Sequence, residues 1–170
     1  RRRPVHDPGA AGDIRLVPRD LPSLKLGQYH FFNAGDSQGM LRIAKAAERD
    51  AADVPFLHGM LAFGYEQCHL LKEAEAAARR GIAMRRKEPW AHHAVAHVML
   101  TQGRNAEGRD FMQSVSDTWT GLNSFMVTHN WWHQALFFIE LGEHAQALRL
   151  YDERVWGVAK EYSQDQVNAV

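Results

Sequence analysis

One cysteine, Cys68, stands in 170 residues, so no disulfide can form within the chain. A lone thiol in an apolar stretch points to a reducing compartment, and the expected localisation is cytoplasmic. Long hydrophobic runs are missing too. No stretch of about eighteen apolar residues occurs, which excludes a membrane-spanning helix from the reading. Net charge is absent: 20 Lys and Arg balance 20 Asp and Glu. That balance gives no general drive toward nucleic acid or an anionic membrane. The only basic clusters are Arg1 to Arg3, which reads as a tail, and Arg85-Arg86-Lys87, which reads as a solvated helix end. Several catalytic signatures are also missing. There is no glycine-rich phosphate loop, no His-Glu-x-x-His helix and no Gly-x-Ser-x-Gly elbow. No secretory signal is visible, and there is no starting methionine. The expectation is therefore a processed product or a piece of a longer protein.

What is present is helical. Apolar residues make up 45% and charged residues 24%, a globular composition with enough length for one domain. Four turn-like segments recur: Asn33-Ala34-Gly35-Asp36, Gln67-Cys68-His69-Leu70, Thr101-Gln102-Gly103-Arg104 and Glu140-Leu141-Gly142-Glu143. Five residues after the third member of each come Met40, Ala74, Gly108 and Ala147. The first two intervals match the period of about 34 residues of the tetratricopeptide repeat, which has two helices per unit. The last interval is longer by five residues, and these are expected in a loop at 117–123. A small side chain at the recurring point lets the second helix pack closely on the first; Met40 is the poor match.

The expected helices are 21–34 with 37–50, 55–70 with 71–86, 90–102 with 105–116, and 121–141 with 143–156. Asp36 and Ser37 are candidate caps. The Glu73-to-Ala78 run favours helix, and Pro89 suits a helix start. The fold class is thus all-α, a tetratricopeptide-like α-α superhelix of about four helix pairs. Residues 1–20 are expected as a flexible tail or the end of a preceding repeat, with Pro18 as a closing proline. Residues 21–156 form the repeat domain, and 157–170 a last helix or tail. Neither end carries an obvious polar cap, so other segments of a longer chain or a second copy are expected to cover them.

Ten histidines are unusual at this length, and four of them form two pairs four residues apart: His93 with His97, and His129 with His133. Each pair projects from one helix face. In the repeat register, Lys25, Gly59, His93 and Trp132 share one column, and Tyr29, Phe63, His97 and Leu136 another. First helices of stacked pairs line the concave surface. The register therefore gathers His93, His97, His129, His133, Glu66, Phe63 and Trp132 into one pocket. His58 precedes Gly59, where a backbone could come close, and Asn130 would orient a neighbour or cap an irregular helix start. Trp131 falls in the core column. His92 is expected as a hydrogen-bonded core residue, and His144 as solvent-exposed.

The stretch Trp90-Ala91-His92-His93-Ala94-Val95-Ala96-His97-Val98-Met99 carries a pattern, with Gln102-Gly103-Arg104 and Glu107-Gly108 after it. So does His129-Asn130-Trp131-Trp132-His133 with Ala135-Leu136-Phe137, followed by Glu140-Leu141-Gly142, Ala147-Leu148 and Leu150-Tyr151-Asp152. With His58-Gly59-Met60 and Ala62-Phe63-Gly64, these resemble the tetratricopeptide repeat protein 38 family, from about Leu24 to Asp152. The resemblance implies an all-helical repeat fold, usually in a much longer chain. It also implies that His58, His93, His97, His129 and His133 stand at family-pattern positions, and it supplies no reaction. Tyr65, Gln67 and Cys68 depart from the more acidic or aliphatic stretch expected there; Glu66 keeps the acidic character.

Two functions fit. One is a binding module that holds a small molecule or peptide through His58, Phe63, Glu66, His93, His97, His129, Asn130, Trp132 and His133. The other is a hydrolase- or lyase-like enzyme on the same cluster, with His93, His97, His129 and His133 ligating zinc or iron, or acting as acid and base. No nucleic-acid or membrane partner is expected.

Overall fold

The computed structural model describes residues 19–122, 125–156 and 158. Among them there is no strand; the fold is all-α. Nine α-helices follow in order among these residues: α1 (Leu21–Asn33), α2 (Ser37–Ala46), α3 (Glu48–Ala51), α4 (Pro55–Gln67), α5 (Leu71–Met84), α6 (Pro89–Thr101), α7 (Asn105–Val115), α8 (Met126–Glu140) and α9 (His144–Leu150). No described helix is long and apolar enough to cross a membrane. The expectations placed on residues 1–18, 123–124, 157 and 159–170 lie outside the described residues.

Helix starts follow local chemistry. Asp20 Oδ1 accepts from the Ser23 amide at 3.2 Å, and Asp36 Oδ1 from the Gly39 amide at 2.7 Å. Such caps satisfy amides that the first turn leaves unpaired and contribute about 1 kcal/mol each. Pro55 and Pro89 open α4 and α6, where a missing amide costs nothing.

The four recurring turns are four copies of one backbone device. Their third residues, Gly35, His69, Gly103 and Gly142, all sit in the left-handed region, with φ of 71°, 59°, 67° and 74°. In each, that residue's amide bonds to the carbonyl three back, and the next residue's amide bonds to the carbonyl five back (Asp36 to Phe31, Leu70 to Tyr65, Arg104 to Met99, Glu143 to Phe138). This is the paired-bond helix ending that favours glycine. His69 alone adopts it with a side chain.

These turns fold α1 on α2, α4 on α5, α6 on α7 and α8 on α9. The first helices α1, α4, α6 and α8 also pack side by side, and each of α2, α5 and α7 packs on the first helix of the next pair. Close approach rests on small residues. A Cβ on Gly108 would overlap the Phe137 ring, and one on Gly64 would lie 3.0 Å from Leu41 Cα. Met40 is nonetheless fully buried. In the first pair small residues stand on both helices: a Cβ on Gly27 would come within 2.5 Å of Ile43 Cδ1, and one on Gly39 within 2.5 Å of Phe31 Cδ1.

Two apolar cores result. One gathers Leu24, Ile43, Leu57, Met60 and Leu61 between α1, α2 and α4. The other gathers Val95, Met99, Met112, Trp119 and Phe137 between α6, α7 and α8. Burial of each such side chain contributes roughly 1.5–3 kcal/mol before entropy is counted. Trp131 packs against the second core, on Trp119. Gln28 Nε2 ties α1 to α4 through the Met60 carbonyl at 2.8 Å.

Three boundaries differ most from the expected helices; the others shift by a few residues at most, as where α4 ends at Gln67 and α5 at Met84. The helix expected over 37–50 ends at Ala46. The Ala47 amide bonds to Ala44, three back, and the chain turns into the separate α3. The helix expected from Gly121 begins at Met126, because Gly121 is left-handed at φ 62° and Ser116–Trp119 form a 3-10 turn. That turn uses the extra residues to drive Trp119 into the core, where it is 2% exposed. The last helix loosens after Leu150 into a wider turn, Tyr151–Val155, closed by the Trp156 amide on the Tyr151 carbonyl.

Candidate metal centre

Three first helices build the site. His93 and His97 lie one turn apart on α6, His129 and His133 one turn apart on α8, and Phe63 and Glu66 on α4. Neighbouring first helices are staggered, so contacts join residues three short of a full repeat. Phe32 meets Phe63 and Glu66 meets His97, each 31 residues apart; His97 meets His133 and His93 meets His129, each 36 apart across the lengthened repeat. The register alone sets Trp132 in the column of His93, but the stagger delivers His129 instead.

Four Nε2 atoms converge. His93 to His129 is 2.9 Å, His129 to His133 is 3.1 Å, and His133 to His97 is 3.1 Å. All four candidate ligand atoms lie within 4.8 Å of one another. His93, His129 and His133 are buried, whereas the His97 side chain keeps 27% exposure and opens the site to solvent.

Such a quartet is frustrated without a cation. A neutral imidazole nitrogen offers either one hydrogen or one lone pair. The Nε2 atoms of His129 and His133 each face two other nitrogens, so hydrogen bonds alone leave contacts unmet. A cation at the centre would take all four lone pairs together. For metal–nitrogen bonds of about 2.0–2.1 Å, a tetrahedron puts nitrogens roughly 3.3 Å apart, and a square or octahedral arrangement roughly 2.9 Å. The three short spacings fall in this range, and the remaining pairs lie within 4.8 Å.

Electrostatics keep protons off these nitrogens. Burial, then the neighbouring imidazoles and Lys25, push His93 well below the ordinary histidine range. Burial, His97 and His129 do the same to His133. His129 is pushed down to about 3, by burial and by His97. Protons therefore compete weakly for these nitrogens near neutral pH.

Glu66 supports the outer edge. The His97 Nδ1–H donates to Glu66 Oε1 at 3.3 Å, and Gln67 Nε2 donates to Glu66 Oε2 at 2.7 Å. Burial raises this carboxyl, but the bond and charge of His97 outweigh it and the net shift is downward. A carboxylate behind an imidazole fixes its tautomer and leaves Nε2 for a metal. Nδ1 of His93 and of His133 has no such partner.

Aromatic rings wall the cluster. Phe63 lies 5.4 Å from His93 and 6.4 Å from His97. Trp132 stacks on His129 at 5.4 Å and meets His133 edge-on at 4.8 Å. Seven of the nine expected site residues therefore come together: Phe63, Glu66, His93, His97, His129, Trp132 and His133.

Two do not. His58 turns away toward α3, with Nε2 2.9 Å from the Ala52 carbonyl, in a separate cleft of about 200 Å³ with Glu48, Tyr65, Glu73 and Arg80. Its position, five residues before Phe63, rotates it off the shared face. Asn130 is fully buried on another face of α8, where Nδ2 donates to the Pro89 carbonyl at 3.2 Å and pins the start of α6. His92 is a core residue, as expected: the Trp119 indole N–H donates to its Nδ1 at 3.1 Å, and burial pushes it down to about 4. His144 is exposed.

Sequence reasoning missed Trp90, Phe125, Lys25 and Glu88. Trp90 meets His93 edge-on at 5.8 Å, and the Phe125 ring lies 3.8 Å from His129. The Lys25 Nζ sits 3.6 Å from the Trp90 ring centre. Lys25 shares the repeat column of His93, the one signal that could have flagged it. Glu88 is 3% exposed, and burial raises its carboxyl to about 7 against the pull of Arg85, the Trp90 backbone and Lys25. No protein-family model matches the chain.

Proposed function

We propose that this chain is a tetratricopeptide-like superhelix, of the tetratricopeptide repeat protein 38 type, that binds a small ligand through a divalent transition metal on its concave face. The carrying observation is the convergence of four imidazole Nε2 atoms at neighbouring distances of 2.9, 3.1 and 3.1 Å. Imidazole sets without thiolate suit zinc, iron, copper and nickel, and zinc or iron fits the sequence reading. His93, His97, His129 and His133 would hold the ion, with Glu66 orienting His97. The closed lining of His, Trp and Phe favours a small molecule over an extended peptide. The recurring turns and the layer of first helices support the repeat reading. A cytoplasmic setting fits the single thiol.

The reading is tested by elemental analysis of purified protein before and after chelation, followed by reloading with zinc(II) or iron(II). About one ion per chain is expected, and none in the protein with all four histidines changed to alanine. Protein that takes up neither ion would sink the metal reading.

A second reading is acid–base chemistry without metal, in a hydrolase- or lyase-like enzyme. It is favoured by the His97–Glu66 contact, a carboxylate-backed imidazole at the exposed edge of the cluster. Turnover that persists after chelation, and is lost in His97→Gln, would decide for it.

A further inference from the structure

Among the described residues, Lys25 is a cation without a counter-ion. Its ammonium carries three donors. One reaches Gln28 Oε1 at 3.3 Å, and Gln28 is itself committed to the Met60 carbonyl. No carboxylate among the described residues forms an ion pair with Lys25. Glu88 acts on it only at a distance, and burial keeps that carboxyl protonated up to about 7. The rest of its surroundings are aromatic faces: Trp90 at 3.6 Å and Phe63 at 5.5 Å. A ring face attracts the charge but does not neutralise it. Removing a cation from water without a partner is costly, and such costs persist at sites that receive a ligand.

The place of Lys25 points to that ligand. Trp90 and Phe63, which flank its ammonium, are the same rings that flank His93, at 5.8 and 5.4 Å. Lys25 and His93 therefore share the same two aromatic neighbours. One lysine, with no arginine beside it, matches a single negative charge better than a phosphate dianion.

We propose that Lys25 is an anion-recognition residue, taking the carboxylate of a small organic acid whose apolar body lies against the half-buried Trp90 ring. The opposite end of the acid reaches toward His93, and only that part rests on the metal reading above.

The test uses benzoate as the probe and benzamide as its uncharged counterpart, by calorimetric titration of zinc-loaded and of EDTA-treated protein. Benzoate is expected to bind at least tenfold more tightly than benzamide, in both forms. K25M should lose at least tenfold of the benzoate affinity and leave benzamide unchanged, while K25R retains a preference for benzoate. K25M should also melt at or above the wild-type temperature, because an unpaired charge has gone. Benzoate binding that is unchanged in K25M, or no tighter than benzamide, would overturn the proposal. So would a K25M protein that melts lower, since the ammonium would then be satisfied by the fold itself. Failure to take up either zinc or iron, with Lys25-dependent benzoate binding intact, would sink the metal reading alone. Normal zinc uptake with Lys25-independent binding would sink this one alone.

Discussion

At the scale of single residues, the cluster is held from outside as well as from within. His97 has a carboxylate behind its Nδ1, and His93 and His133 do not. Orientation of the quartet's exposed member therefore depends on Glu66. Loss of an outer partner of this kind typically costs about 10–100-fold in metal affinity. Glu66→Gln is expected to weaken zinc binding within that range without changing the stoichiometry, as read by competition with a chromophoric chelator. Glu88 makes a prediction of opposite character. Its folded pKa is raised to about 7 from an ordinary 4.5. The unfolded chain therefore releases this proton first, and the stability cost grows as pH rises from the ordinary value to the raised one, then levels off. Glu88→Gln removes the titration. It is expected to stabilise the protein by about 2 kcal/mol at pH 8, with the gain fading toward about pH 4.5, by urea denaturation at both ends. A gain of equal size at both pH values would show that the buried charge is not its cause.

At the scale of elements, the fold repeats one turn four times and departs from glycine once. His69 holds φ 59° with a full side chain, a conformation costing an L-residue about 1 kcal/mol. His69→Gly is expected to raise stability by about 0.5–1 kcal/mol, measurable as a later urea midpoint at unchanged slope. These turns were legible because turn-like segments, three of them with glycine in the third place, recur near the two-helix repeat period. The helix pairs between them were legible for the same reason. The break at Ala47 and the 3-10 turn at Ser116–Trp119 were not, since alanine and serine are compatible with helix and only tertiary packing decides. A shared column is also not yet a contact. The register brought His93, His97, His129 and His133 to one face, but it set Trp132 rather than His129 opposite His93. The stagger between neighbouring helices comes from side-chain interlocking, which no single-chain periodicity records. Lys25 stayed unread because a lone lysine near a helix start is usually solvated; its two aromatic walls come from α4 and from the start of α6.

At the scale of the whole molecule, the four histidines belong to two different helix pairs. Two come from α6 and two from α8, and α6 also carries the apolar contacts to α4 on its other side. An ion bound there would stabilise the folded state by mass action, by about 2.7 kcal/mol at a hundredfold excess over its dissociation constant. Amide protection should therefore rise on zinc addition across α6 and α8, and change little in α1 and α2, in hydrogen exchange followed by mass spectrometry. Uniform protection along the chain, or none, would show that the ion does not clamp these two helices. The same arrangement has a mechanical meaning. In a stack where each unit touches only its neighbours, overall shape is the sum of small rotations between units. A four-way clamp across one junction fixes one of those rotations while leaving the others springy. In the superhelix proposed above, occupancy of the histidine quartet would then set pitch and curvature, turning a chemical signal at one joint into a change of bend along its length.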